Sequence, residues 1–311
     1  MAHPRRFRFG IQMATAPTGE RWAELARRCE DLGFDSLVLP DHFGDQLAPI
    51  AAMTAAAAAT TTLKVGCLVF DNDYRHPVTL AKELATIDLI SDGRLEIGLG
   101  AGWMLSDYEQ AGLPYDAGRI RVDRFHEGLH VIKGLLGPEP LTFHGEHYTI
   151  ENLDGFPKPI QSPPPILVGG GLKRMLTIAG AEADIVGINP TMPNGAADAD
   201  AARTATAALT DQKLSWVKDA AGDRYEDIEI NLLSLGCFIT EDRDSLIEQF
   251  APMFGLSAGE LLDFPHALIG TTGEIVETLL ARRERWDASY IIVQADALDA
   301  MAPIVAELAG T

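Results

Sequence analysis

The sequence predicts an α/β protein folded as one (β/α)8 TIM barrel, with insertions at the carboxyl ends of its strands. Three observations carry that prediction. Short apolar runs alternate with helical patterns about eight times along the chain. The runs are apolar on both faces, which marks parallel strands covered on both sides rather than a half-solvated antiparallel sheet. The length, 311 residues, suits a single parallel barrel, and eight strand–helix units close most naturally into a ring. An open doubly wound sheet is the other architecture that the alternation permits. No short repeat, low-complexity linker or break in composition divides residues 1–311, so one domain is expected.

The elements follow in order. FRFGIQM (Phe7 to Met13) reads as the first strand, and from about Gly19 the apolar positions Trp22, Leu25, Cys29 and Leu32 recur at helical spacing until Gly33. SLVLP (Ser36 to Pro40) is the second strand, AAMTAAAAATT the second helix and LKVGCLVF (Leu63 to Phe70) the third strand. Pro77 stands where a first helical turn accepts proline, and Leu80, Leu84 and Ile87 stripe the third helix. RLEIGLG (Arg94 to Gly100) is the fourth strand, followed by a long helix from about Gly118 to Leu136 and by LTFHGEHYTI, which alternates like a hairpin. PPILVGG restarts the rhythm as the fifth strand, with its helix over Leu172 to Ala183, and DIVGIN (Asp184 to Asn189) is the sixth strand. After a polar stretch over 191–225 that contains a helix, IEINLLSLGCFI reads as the seventh strand and SYIIVQ (Ser289 to Gln294) as the eighth. TGEIVETLLARRERW lies between those two strands as a helix, and ALDAMAPIVAELAG closes the chain as another.

Forty-five acidic against 25 basic side chains give a formal charge of −20. A field of that sign repels phosphate backbones and anionic lipid surfaces, which argues against nucleic acid and membrane partners. No apolar run is long enough to span a bilayer and no secretory leader is visible, so a cytoplasmic protein is expected. Cys29, Cys67 and Cys237 are odd in number, far apart and flanked by apolar residues, as buried structural thiols would be.

One motif points elsewhere. His126-Glu127-Gly128-Leu129-His130 spells H-E-x-x-H, which on a helix can bind zinc and supply a general base. The core stripe of that helix is Val122, Phe125, Leu129, Ile132 and Leu136. At 100° per residue His126 lies roughly 90° from its centre, His130 roughly 130° and Glu127 nearly opposite. These side chains are expected to face water on the outer surface, with only His144 and His147 as nearby further ligands, so no metal is expected.

In parallel α/β folds the chemistry lies where strands end and helices begin. LPDHF places Asp41 and His42 there, after the second strand; the histidine can exchange a proton near neutral pH and an adjacent carboxylate can orient it, the lesser alternative being a histidine that caps a turn. Asp71, Asn72 and Asp73 follow the third strand, before Arg75, His76 and Pro77, and read either as ligand contacts or as a structural clamp. GLGAGW (Gly98 to Trp103) resembles G-x-G-x-x-G, but Trp103 replaces the final glycine and the motif follows the fourth strand, so a Rossmann reading is weak. Its glycines would let a flat ring approach the backbone, with Trp103 as an aromatic wall. LVGGGLKRML (Leu167 to Leu176) opens a helix with a glycine run whose N–H groups, helix dipole and neighbours Lys173 and Arg174 suit a phosphate.

Together these features resemble the bacterial luciferase-like family, flavin- and deazaflavin-dependent oxidoreductases on a (β/α)8 barrel. The resemblance is carried by Asp41-His42, by YRHP opening the third helix, by SDGRLEIGLGAGW, FHGEHY and PKPIQSPPPILVGGG, and by LIGTTGEIVE before the last strand; it runs from about Arg8 to Leu308. It is closest to the branch that uses coenzyme F420. The resemblance implies a cofactor across the barrel mouth, resting on a bulge at Leu68, Val69 and Phe70 that often holds a non-proline cis peptide. It implies further that His42 and Asp41 border the ring as catalytic residues, near Asp71, and that Gly100, Ala101, Gly102 and Trp103 line its edge. Gly169, Gly170, Gly171 and Leu172 would hold the phosphate, with Asn189 nearby. Relatives that oxidise a sugar phosphate carry a glutamate where Trp103 stands, which argues against that substrate.

The expected function is F420-dependent hydride transfer between the reduced deazaflavin and a C=C, C=N or C=O of a small organic molecule, by a homodimer. An anionic polyglutamate tail on the cofactor would favour Lys173, Arg174 and also Arg119 or Arg121. An FMN-dependent monooxygenase and a non-catalytic flavin-binding protein are the alternatives.

Overall fold

The computed structural model describes residues 5–311 of the chain, so the first four residues of the expected domain lie outside the described residues. The chain opens with β1 (Arg8–Gln12), α1 (Gly19–Asp31), β2 (Ser36–Leu39), α2 (Pro49–Ala59), β3 (Lys64–Cys67), β4 (Phe70–Asp71), α3 (Pro77–Ile90) and β5 (Leu95–Gly100). It continues through α4 (Leu105–Ala111), α5 (Gly118–Leu136), β6 (Leu141–His144), β7 (Thr149–Leu153), β8 (Ile166–Gly170), α6 (Lys173–Glu182), β9 (Ile185–Ile188), α7 (Ala199–Arg203) and α8 (Ala207–Ala221). The last elements are β10 (Glu229–Leu233), β11 (Gly236–Ile239), α9 (Arg243–Phe254), α10 (Ala258–Leu262), β12 (Ala267–Gly270), α11 (Thr272–Trp286), β13 (Ala288–Gln294) and α12 (Leu298–Leu308).

The main sheet has the order β3-β2-β1-β13-β10-β9-β8-β5-β4, and β3 also pairs with β5. That second pairing closes an eight-strand parallel barrel with helices between its strands, the (β/α)8 architecture expected from the sequence. Strands β2, β5 and β9 are buried along their whole length, as the two-sided apolar pattern requires. The expected third strand is broken into β3 and β4, with a cis peptide between Leu68 and Val69. The expected seventh strand is also broken, because β11 leaves the barrel to pair in parallel with β12, a strand that the pattern reading did not find.

The contacts group the residues into two compact units. One comprises Ala14–Arg28 and Leu37–Leu167. In it Arg94 binds three carbonyls, those of Ala57, Leu63 and Ser91, while buried Asp88 accepts from the backbone and side-chain amides of Gln161. The other comprises the residues up to Met13, Cys29–Ser36 and Val168–Thr311. Its β1 pairs with β13 from Arg8↔Tyr290 to Gln12↔Gln294, and Arg8 bonds both Glu229 and Asp35. A smaller apolar core under β11 and β12 gathers Ile247, Leu261, Phe264 and Ile269. Cys29 and Cys67 are buried as expected; Cys237 is only half-buried, because it sits on β11 rather than in the barrel wall. Among the described residues no helix is long and apolar enough to cross a membrane.

Candidate active site

Asp41 and His42 follow β2, whose end delivers them to different partners. Asp41 is buried and its carboxylate receives the guanidinium of Arg75 through two bonds, 2.5 Å to Oδ2 and 2.8 Å to Oδ1, and also the backbone N–H of Asp71 at 3.1 Å. Burial works against the Arg75 cation, but the bonds and charge of Asp41 outweigh it and raise its pKa. Arg75 thus ties the β2 end to the start of α3, as the clamp reading of this segment expected. Its companion His76 caps α3, the ring Nδ1 accepting from the Val78 N–H at 3.3 Å.

The carboxylate that orients His42 is Asp107, and the adjacent Asp41 does not reach it. His42 Nδ1 lies 2.7 Å from Asp107 Oδ2, the same oxygen accepts from the Tyr74 hydroxyl at 3.0 Å, and Oδ1 accepts from the Phe43 N–H at 3.4 Å. A carboxylate can only accept here, so a neutral His42 carries its proton on Nδ1 and keeps Nε2 as the acceptor. The Trp103 ring meets the His42 ring edge-on, with centroids 5.3 Å apart. Burial, then the charges of Asp71 and Asp107, push the Tyr74 hydroxyl pKa up, so it acts as a donor at any working pH.

A second carboxylate group stands beside the first. Asp71 is buried, accepts from Tyr108 Oη at 3.0 and 3.2 Å and from the Asp73 N–H at 2.9 Å, and the same hydroxyl lies 3.0 Å from Asp73 Oδ2. Arg124 bonds Asp73 at 2.8 Å and also Asp116. Desolvation drives the Asp71 pKa up to about 7; the Asp73 N–H and Tyr108 bonds resist, and the charges of Asp73 and Asp41 add to the rise. Gly102 has φ +77, and a Cβ there would collide with the Tyr108 hydroxyl and with Asp71, so only glycine fits. The space at Gly98 and Gly100 is likewise taken by Cys67 O and the Val69 side chain. The glycines of GLGAGW thus let the Leu68–Asp71 bulge and the Asp71–Tyr108 pair close in, and Gly100 and Phe70 are buried while Val69, Ala101, Gly102 and Trp103 are half-exposed.

The glycine run ends β8 and opens α6. Gly169, Gly170 and Gly171 are half-buried and Leu172 is 61% exposed. Leu172 caps α6 with no side-chain bond, so the first N–H groups of the helix have no side-chain cap. Asn189, just past β9, donates its N–H to Gly170 O at 2.9 Å, and a Cβ on Gly171 would lie 2.5 Å from Pro190 O and 2.8 Å from Asn189 O. Half-exposed amides at an uncapped helix start, with exposed Lys173 and Arg174 beside them, fit an anionic phosphate.

A sequence profile of the family described as luciferase-like monooxygenase matches residues 6–302, nearly the whole chain. The chain belongs to the luciferase-like family. It is 29% identical over 156 residues to an F420-dependent glucose-6-phosphate dehydrogenase of Amycolatopsis mediterranei, covering 48% of this chain and 47% of that one. It is 29% identical over 157 residues to an FMNH2-dependent dimethylsulfone monooxygenase of Pseudomonas putida, covering 49% and 43%. This chain therefore spans about half the length of such relatives. Its fold is similar to that of the F420-dependent tetrahydromethanopterin reductase of Methanopyrus kandleri, with TM-score 0.77, 19% identity, and 98% and 99% of the two chains covered.

Two residues of the H-E-x-x-H motif, Glu127 and Gly128, have structural uses in this luciferase-like barrel. Glu127 was expected to face water, yet its carboxylate accepts the N–H groups of Glu146 and His147 at 2.8 Å and of Tyr148 at 3.1 Å, gripping the turn of the β6–β7 hairpin. Desolvation opposes its charge, but these three bonds prevail and lower its pKa. Gly128 is buried, and a Cβ there would strike the Asn72 amide, which itself donates to Tyr148 Oη at 3.1 Å. Within the luciferase-like site, the pattern reading missed Tyr74, Asp107, Tyr108 and Arg124. Asp107 and Tyr108 sit on α4, seven residues of mixed polarity with no periodicity to reveal them; the only legible signal was the polar, aromatic-bearing insertion after Trp103.

Proposed function

We propose that the protein is an F420-dependent oxidoreductase acting on a small organic substrate, as a homodimer in the cytoplasm. The observation that carries the proposal is the His42–Asp107–Tyr74 group at the end of β2, with Trp103 against the histidine ring. Family membership and the F420-dependent relatives support the cofactor assignment. When bound, the reduced deazaflavin would supply a hydride to an electrophilic C=C, C=N or C=O. Asp107 holds the His42 tautomer, His42 Nε2 gives or takes the accompanying proton, and Trp103 walls the pocket against water. Gly169 to Leu172, with Asn189, would hold the phosphate; Asp41 would border the ring beside His42, and Val69, Phe70 and Asp71 would bear it through the backbone of the bulge, with Gly100 to Trp103 at its edge. Trp103 in place of a glutamate argues against oxidation of a sugar phosphate.

An FMN-dependent monooxygenase is the second reading, favoured by the dimethylsulfone monooxygenase relative. Fluorescence titration of the purified protein with F420 and with FMN separates the two. Tighter binding of F420 is expected, and tight FMN binding without F420 binding would reverse the assignment. His42→Ala should then bind F420 as the wild type does while losing turnover; unchanged turnover with the cofactor still bound would overturn the catalytic role of His42.

A further inference from the structure

We propose that Lys213 is a positioning residue for the phosphate nest: by holding the Asn189 carbonyl, it fixes the 189–191 segment against Gly170 and Gly171 and so sets how well their amides grip a phosphate. The inference rests on the proposed function and names a residue that neither touches the cofactor ring nor lies in any motif singled out from the sequence.

Lys213 lies on the buried face of α8 with Thr210, Leu214 and Val217 and is only 3% exposed. Its ammonium donates to Asn189 O at 2.6 Å, so its partner is a carbonyl rather than a carboxylate. From there the contacts lead straight to the glycines. Asn189 N–H bonds Gly170 O at 2.9 Å, and Thr191 Oγ1 donates to Gly171 O at 3.3 Å. The carbonyls of Asn189 and Pro190 approach Gly171 so closely that no side chain fits there. A shift of the 189–191 segment would therefore move Gly170 and Gly171 with it.

Stability alone does not explain the residue. Burying an ammonium against a carbonyl is unfavourable, and desolvation lowers the amine pKa to about 8. An apolar side chain of the same length would serve the α8 packing better. A group kept at such a cost beside a ligand-binding loop is expected to have a role in ligand binding.

The test compares ligands with and without phosphate: FMN against riboflavin, which differ only by that group, and F420 against its deazaflavin chromophore, which lacks the phosphate together with the anionic tail, each titrated into the full-length wild type and Lys213→Met. The wild type should prefer the phosphate-bearing forms. Lys213→Met should reduce that preference by about tenfold or more, the effect of one charge-assisted hydrogen bond, while leaving the affinity for the phosphate-free forms unchanged. An unchanged preference, or equal loss for both forms, would overturn the role of Lys213 alone. A wild type that binds these ligands without regard to phosphate overturns the nest and Lys213 together, and one that binds none of them overturns the proposed function as well. Thr191→Val, which removes the neighbouring bond to Gly171, carries the same test if Lys213→Met fails to fold; it should lower the phosphate preference by a smaller factor, and no change there overturns the proposal too.

Discussion

His42 was legible as a candidate for proton exchange because it is a titratable side chain at the end of a barrel strand, but its partner was not. The adjacent Asp41 was the obvious orienting carboxylate, yet consecutive residues leaving a strand point apart, and Asp41 turns to Arg75. Asp107, distant in sequence and on a short helix, takes the role. Asp107→Asn makes the consequence measurable. An amide can donate to Nδ1 and so favours the tautomer with hydrogen on Nε2, the wrong one for accepting a proton. We expect kcat to fall by about 10²- to 10³-fold with KM and F420 affinity little changed, within the usual range for a general acid–base group. Stopped-flow measurement of the hydride-transfer step checks this; equal kcat for the variant and wild type would show that Asp107 only packs.

At the scale of elements, the sequence motifs that mark the family turn out to be mostly fasteners. Arg94 of SDGRLEIG closes on three carbonyls, Gln161 of PKPIQS on Asp88, and Thr271 with Glu274 of GTTGE forms a capping box on α11. Long elements were readable because periodic burial writes itself into many residues: α5 and α11 begin and end where their patterns do. The breaks were not readable from the residue pattern. The apolar letters of LVF do not mark the cis peptide that separates β3 from β4, which only the family resemblance placed there, and β11 is as apolar as the barrel strand it leaves. Glu127 shows the same point in reverse, since a side chain placed on the watery face by helical geometry is captured by a hairpin from further along the chain. Glu127→Ala should leave α5 intact but release the N–H groups of Glu146, His147 and Tyr148. Hydrogen exchange should speed up at those three amides and stability should fall by about 1–3 kcal/mol; unchanged exchange there would mean the hairpin holds its own turn.

For the whole molecule, the two-sided apolar strands made the closed barrel predictable, while charged groups buried after folding were invisible because burial is a property of the finished fold. Two of them give stability opposite dependences on pH. His266 is 1% exposed; its Nδ1 lies 2.9 Å from Leu233 O and its Nε2 has no hydrogen-bond partner among the described residues. Desolvation first, and the charges of Lys213 and Arg282 after it, lower its pKa to about 4 from an ordinary 6.5. Between these values the unfolded chain holds more protons, so His266 makes stability rise with pH from about 4 to 6.5. Asp71 does the reverse. Its pKa is raised from 3.8 to about 7, the folded chain holds the extra proton in that window, and stability from this group falls as pH rises. Each slope is at most about 1.4 kcal/mol per pH unit, so between pH 4.5 and 6.5 the two nearly cancel. Asp71→Asn removes the falling term and keeps an acceptor for Tyr108, so its stability relative to wild type should increase steadily from pH 4.5 to 7. His266→Asn keeps a donor for Leu233 O and removes the rising term, so its stability relative to wild type should decline over pH 4.5 to 6.5. Urea denaturation of the three proteins across that range decides the matter: parallel curves would mean that neither group is held away from its ordinary protonation by the fold.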